Sequence, residues 1–171
     1  MTALNAPNPN ETRTLSVSAL PKLLSGEGAH ARARSVLEAI ELAQLGVRPN
    51  VAPHSVFEEL WHLVYWQDFL LAWAAGERRA YPEHAAESFP DTQAPADLSE
   101  ARDLTRRFLE GINKASALAA SGDLDRKVLD EHTLRSLLET LLAHNSYHLG
   151  RIVLLRQLIG IWPPPSGGDT W

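Results

Sequence analysis

The sequence predicts an all-α protein, a four-helix bundle with one long crossover loop. Three observations carry that expectation. Four stretches space their apolar residues helically and end at caps, Gly or Pro. No Val/Ile/Thr-rich alternating run is bounded by turn residues, so no sheet is expected. Between the second and third stretches, "ERRAYPEHAAESFPDTQAPA" (77–96) holds three prolines and no periodicity. A loop that long in a compact domain is often functional.

Residues 1–15 are rich in Pro, Asn and Thr and read as a flexible N-terminal arm. The bundle domain is expected over 16–163, followed by a C-terminal tail, 164–171. Within the domain, "SALPKLLSGEG" (18–28) reads as a short helical turn broken by Gly26 and Gly28. The next stretch, 28–46, carries Val36, Leu37, Ile40 and Leu45 and predicts a first long helix stopped by Gly46 and Pro49. The second helix, 53–76, opens on a capping box between Ser55 and Glu58 and stops at Gly76. A third, 97–121, opens on Asp97 and Glu100 in the same pattern, with Leu104, Phe108, Ile112, Ala115 and Leu118 inward. The longest, 132–160, has Thr133 as its candidate cap. The tail "WPPPSGGDTW" cannot continue it.

At 171 residues the chain suits one domain. Such a length buries roughly two-thirds of its unfolded surface, enough for one core without disulfides. Cysteine is absent, which excludes a thiolate nucleophile, an iron–sulfur cluster and a Cys-ligated zinc site. The net charge is −5 and no Lys/Arg block occurs, so the electrostatic footprint of a nucleic-acid binder is missing. No signal-peptide pattern and no uninterrupted apolar run of membrane-spanning length occur. A cytoplasmic protein that binds neither nucleic acid nor membrane is expected.

Histidines carry the chemistry. On a helical wheel with Leu134 at zero, Leu137, Leu138, Leu141, Asn145 and Ile152 cluster within roughly 60°. His148 falls at about −40° and His144 at about −80°, both on one edge of the buried stripe. Their i, i+4 spacing lets two imidazole nitrogens converge on one ion. In the second helix His62 shares a stripe with Tyr65, Trp66, Phe69 and Trp73. Two inward helices thus carry one histidine and a pair. An imidazole buried in an apolar layer needs partners for both nitrogens. A shared divalent metal would satisfy one nitrogen of each, and a carboxylate or carbonyl the other.

Other residues are read more plainly. His30 stands near the first long helix, as a candidate outer donor or proton carrier at the site mouth. His54 is a loop residue, too far along the axis from His62 to share its ion. His84 and His132 are expected to face solvent. Glu58 and Glu59 could orient a ligand, although Glu58 is engaged as a cap. Asn145 is a candidate for a hydrogen bond across helices. Trp61, Trp66 and Trp73 read as core.

The words "HSVFEELWHLVYWQ" and, some eighty residues on, "HNSYHLGRIVLLRQLIGIWP" resemble the DinB-like superfamily of damage-inducible and thiol-transferase-like four-helix bundles. The resemblance covers about residues 16–163. It implies a divalent metal, zinc or nickel, held by a histidine of the second helix and a His-x-x-x-His pair of the last. Those positions are His62, His144 and His148. It also implies homodimers, and members that transfer low-molecular-weight thiols to electrophiles or isomerise with a thiol cofactor.

Three histidines leave a coordination position for water, substrate or thiol. The expected function is a metal-dependent thiol S-transferase or hydrolase in stress response or detoxification, any sulfur nucleophile coming from a co-substrate. The alternative is a non-catalytic metal-binding or dimerisation module. A plain bundle with structural histidines is a third reading. Apolar residues nearly all round the second helix are compatible with a dimer face.

Overall fold

The structure, a computed structural model, describes residues 19–121 and 123–168. The expected arm, 1–15, lies outside them, as do residues 169–171 of the tail. Helices α1 (Ala19–Leu24), α2 (Ala33–Val36), α3 (Leu42–Leu45), α4 (Val56–Ala74), α5 (Leu98–Ala120) and α6 (Leu134–Leu158) build an all-α fold. The long helices α4, α5 and α6 pack against one another, with α1 on α5 and α2 on α6.

Local chemistry sets the ends of α4. Ser55 Oγ accepts from the Glu58 amide at 3.2 Å, and the Glu58 carboxylate accepts from the Ser55 amide at 2.8 Å. This is the reciprocal box read from the sequence. At the far end Gly76 adopts φ +82°, and the Gly76 and Glu77 amides bond back to Trp73 and Ala72. Thr133 caps α6 by accepting from the Ser136 amide. Asp97 caps α5, accepting from the Glu100 amide at 2.9 Å. The Glu100 carboxylate, however, takes the amide of Ala96 at 2.6 Å rather than that of Asp97. The expected box is therefore closed one residue early.

The first long helix, expected over 28–46, is not formed. Two single turns, α2 and α3, replace it, and Ala39 between them has φ +51°. The cause lies 120 residues away. A continuous helix would use the carbonyls of Ser35 and Val36 to accept from residues 39 and 40. Arg156 of α6, only 1% exposed, reaches both: its Nη1 donates to Val36 O at 2.6 Å and, at 3.3 Å, to Ser35 O, which also accepts from the Glu38 amide. Its Nη2 donates to Ile161 O at 3.1 Å. Among the described residues no carboxylate bonds to it; backbone oxygens take both of its Nη groups, while its Nε is buried without a partner.

A second departure is an antiparallel hairpin, β1 (Lys127–Leu129) with β2 (His132–Thr133), turning at Asp130 with φ +47°. It leads into α6, whose first amides bond to Arg126 O and Leu124 O. Strands of three and two residues are too short to show alternation. The long loop contains one 3-10 turn, Ala85–Ser88.

Two apolar clusters form the core. One joins Val56–Val64 of α4 to Leu149, Ile152 and Leu155 of α6. The other joins Phe69–Ala74 to Leu134, Leu137, Leu138 and Leu141. Asn145 and His148, both buried, fall between them along α6. Gly111 of α5 permits the close approach of α4 there: a Cβ would collide with Gln67, whose Nε2 donates to Phe108 O at 3.1 Å.

Candidate metal centre

The polar layer between the clusters gathers the three expected histidines. His62 comes from α4, His144 and His148 from α6. Their ring centroids stand 5.1 Å (62–144), 4.4 Å (62–148) and 4.5 Å (144–148) apart. One nitrogen from each lies within 4.8 Å of the others. His62 and His148 are 7% and 8% exposed, and His144 is half-buried.

The hydrogen bonds fix which nitrogens face inward. Ser88 Oγ lies 2.6 Å from Ala85 O and commits its one proton there. Its lone pairs and the Ser88 carbonyl both face His62 Nδ1, at 2.9 Å and 3.2 Å. Facing only acceptors, Nδ1 carries the proton and Nε2 the free lone pair. His148 Nδ1 lies 2.7 Å from Glu59 Oε2. Burial pushes the fully buried Glu59 carboxyl up, but hydrogen bonds from His148 and Arg151 outweigh it and hold the group below its usual range. Ionised, Glu59 only accepts, so His148 Nδ1 also donates. Arg151 binds the other carboxylate oxygen through Nε at 2.8 Å and Nη2 at 2.7 Å. His144 Nδ1 is buried without a hydrogen-bond partner, while His144 Nε2 stands 3.2 Å from His62 Nε2.

These residues fit a divalent metal. Two nitrogens bound to one tetrahedral ion, each about 2.0–2.1 Å from it, stand about 3.3–3.4 Å apart. The 62–144 pair matches that separation. Burial pushes His62 and His144 down to about 4, and the neighbouring His148 adds to the shift. Both are neutral at pH 7, the form that ligates. The donors on Nδ1 of His62 and His148 are those that orient ligating imidazoles.

Around the triad the walls are aromatic. Phe89 is stacked between His62 (4.1 Å) and His54 (4.0 Å). Trp66 presents an edge to His62 and His144 and leans towards the exposed Tyr81. Trp73 is core as expected, whereas Trp61 and Trp66 are half-buried. Tyr147 packs edge-on to His148 and accepts from Arg151 at 3.3 Å.

The remaining sequence expectations divide. The His30 ring bonds Ala31 O and Ser146 Oγ, the latter between His144 and His148 in sequence. His54 does not join the triad but stands one ring away, its Nδ1 3.7 Å from Glu58, which also pairs with Arg48. His84 is exposed, but His132 is half-buried against Trp73. Asn145 makes no hydrogen bond across helices; both its amide atoms lack a partner. Ser88 was missed, because a serine in an aperiodic loop carries no signal of its own. Arg151 was missed too, although its i, i+3 spacing from His148 placed it beside that histidine.

Among the described residues no helix is long and apolar enough to cross a membrane. The chain matches the family model described as the DinB superfamily over residues 26–152. No curated protein and no solved structure matches it.

Proposed function

This chain belongs to the DinB superfamily, and we propose that it is a divalent-metal enzyme of the thiol S-transferase or hydrolase type. Zinc or nickel would be held by Nε2 of His62, His144 and His148. The observation that supports this most is the proton placement: Ser88 and Glu59 each take an Nδ1 proton, leaving two Nε2 lone pairs to converge beside His144.

A bound ion would supply Lewis acidity to an exchangeable fourth ligand, water or a thiol. The chain's own residues do the rest. Glu59 holds the His148 proton, and Arg151 neutralises Glu59, so the carboxylate behind His148 adds no net charge. Trp66 and Phe89 exclude water from two sides. The thiol would be a co-substrate, since the sequence has no cysteine. Detoxification of electrophiles is the setting this chemistry suits, and a cytoplasmic, homodimeric protein belongs to the same proposal. Of the 19 residues of α4, 15 are buried within the chain, and the four that are not, Trp61, Tyr65, Trp66 and Asp68, are the part of α4 such a dimer could use.

A second reading, a metal-binding module without turnover, draws on the low exposure of His62 and His148. One experiment addresses both. Metal content is measured by mass spectrometry in the purified chain and in His148→Ala, and cobalt-loaded protein is titrated with small thiols. The expected result is about one ion per chain, lost in the variant, with a thiolate-to-cobalt charge-transfer band. An unchanged metal content in the variant overturns the site. Loaded protein without that band leaves the module.

A further inference from the structure

On the side of α4 away from the histidines lies a cleft of about 660 Å³. Leu60, which lines it, projects about 200° round the helix from His62. No residue of the metal centre contributes to it. Its floor is apolar, with Leu37, Leu45, Leu60 and Ala101 all buried beneath it. The size is that of small-molecule sites, which join a largely apolar lining to a few placed polar groups.

Two features make it more than a packing gap. The first is its origin. The cleft opens where the first long helix fails to form, and Ala39, held at φ +51° without being glycine, stands in its lining. A backbone held in that region is a strained position of the kind that collects at ligand sites. The second is its charge. Arg34 and Arg102 stand exposed on the lining, and among the described residues neither has an ion-pair partner. Arg106 and Glu110 also line the cleft, but they pair with each other, and Arg106 with Asp103 as well, so they leave the charge of Arg34 and Arg102 uncompensated. Two free guanidiniums over an apolar floor complement one chemistry: an anionic head joined to an apolar body.

We infer that this cleft binds a small organic carboxylate with an aliphatic or aryl body, the head between Arg34 and Arg102 and the body over Leu37 and Leu60. Guanidinium suits a carboxylate because its planar N–H fork matches the two oxygens. The site is separate from the metal centre and does not rest on the proposed enzymatic reading.

Calorimetric titration of the full chain with decanoate tests it, with decanol as the neutral control. One decanoate per chain is expected, with decanol binding more weakly. The exposed double variant R34Q/R102Q is expected to weaken decanoate about tenfold or more, as loss of charge-assisted hydrogen bonds predicts. Thr105→Trp, which projects bulk into the cleft, is expected to abolish it. If that variant fails to fold, R34Q/R102Q decides alone. His148→Ala should leave decanoate affinity unchanged. No binding of decanoate, equal binding by R34Q/R102Q, or loss of binding in His148→Ala would each overturn the assignment.

Discussion

Helices α4 and α5 lie side by side, 19 and 23 residues long, and meet opposite demands. On α5 the buried residues, Ala101, Leu104, Phe108, Gly111, Ile112, Ala115 and Ala119, form one stripe that is wholly apolar. Its charges are all turned outward. On α4 burial runs nearly all round, and Glu58, Glu59, His62 and Gln67 are taken in with the apolar residues. Each of these four is bonded to another element or to the helix cap. The contrast shows how to separate a supporting helix from a chemical one. In the first, burial follows a single face. In the second, polar side chains are buried, and three of the four, Glu59, His62 and Gln67, reach partners 26 or more residues away in sequence.

The comparison breaks first at Glu59. Truncation to Ala would strand His148 and Arg151 and should cost about 3–5 kcal/mol. Metal affinity should fall about 10- to 100-fold, because the ligand loses its orienting acceptor. Urea unfolding and chelator competition measure the two effects. A near-neutral result would mean that α4 is no more demanding than α5.

Phe108→Ala sharpens the contrast. It should cost a similar 3–5 kcal/mol from cavity formation, yet leave the metal affinity of the folded fraction unchanged. Reduced affinity in that variant would show that α5 takes part in the site.

Acid is a smaller probe. In the metal-free chain His62 and His144 take protons only near pH 4, against about 6.5 for free imidazole. Between those values the unfolded state binds more protons than the folded one. Stability should therefore be complete above about 6.5 and fall as pH drops towards 4. Denaturation midpoints at pH 7 and pH 5 test this, and equal midpoints would contradict neutral buried imidazoles. The smallest effects belong to the caps and the surface of α5. Asp97→Ala should cost about 1 kcal/mol. Arg106→Ala should leave the melting temperature almost unchanged, since its ion pairs are exposed. Thermal melts resolve the two.

Much of this was legible in the sequence. Ser55 with Glu58, Gly76 and Thr133 marked helix ends through local bonds that require only their neighbours. The i, i+4 pair on α6 and the resemblance to the superfamily located the triad. What escaped the sequence was set by distant partners. The run "SVLEAIELAQLG" is helical by propensity, but Arg156 claims the carbonyls that would continue it. Ser88 acquires its role because a loop carries it to His62. Glu59 was visible as a candidate, while its engagement by both His148 and Arg151 required the fold.

The crossover loop is pinned at two successive residues, Ser88 by hydrogen bonds to His62 and Phe89 by its place between two imidazoles. It therefore acts as a peg, and lifting it would free His62 to change tautomer and turn its lone pair away. Were the triad to hold a metal, loop docking and the readiness of His62 to bind it would become one event, and loosening residues 88 and 89 would weaken the centre without touching any of the three histidines.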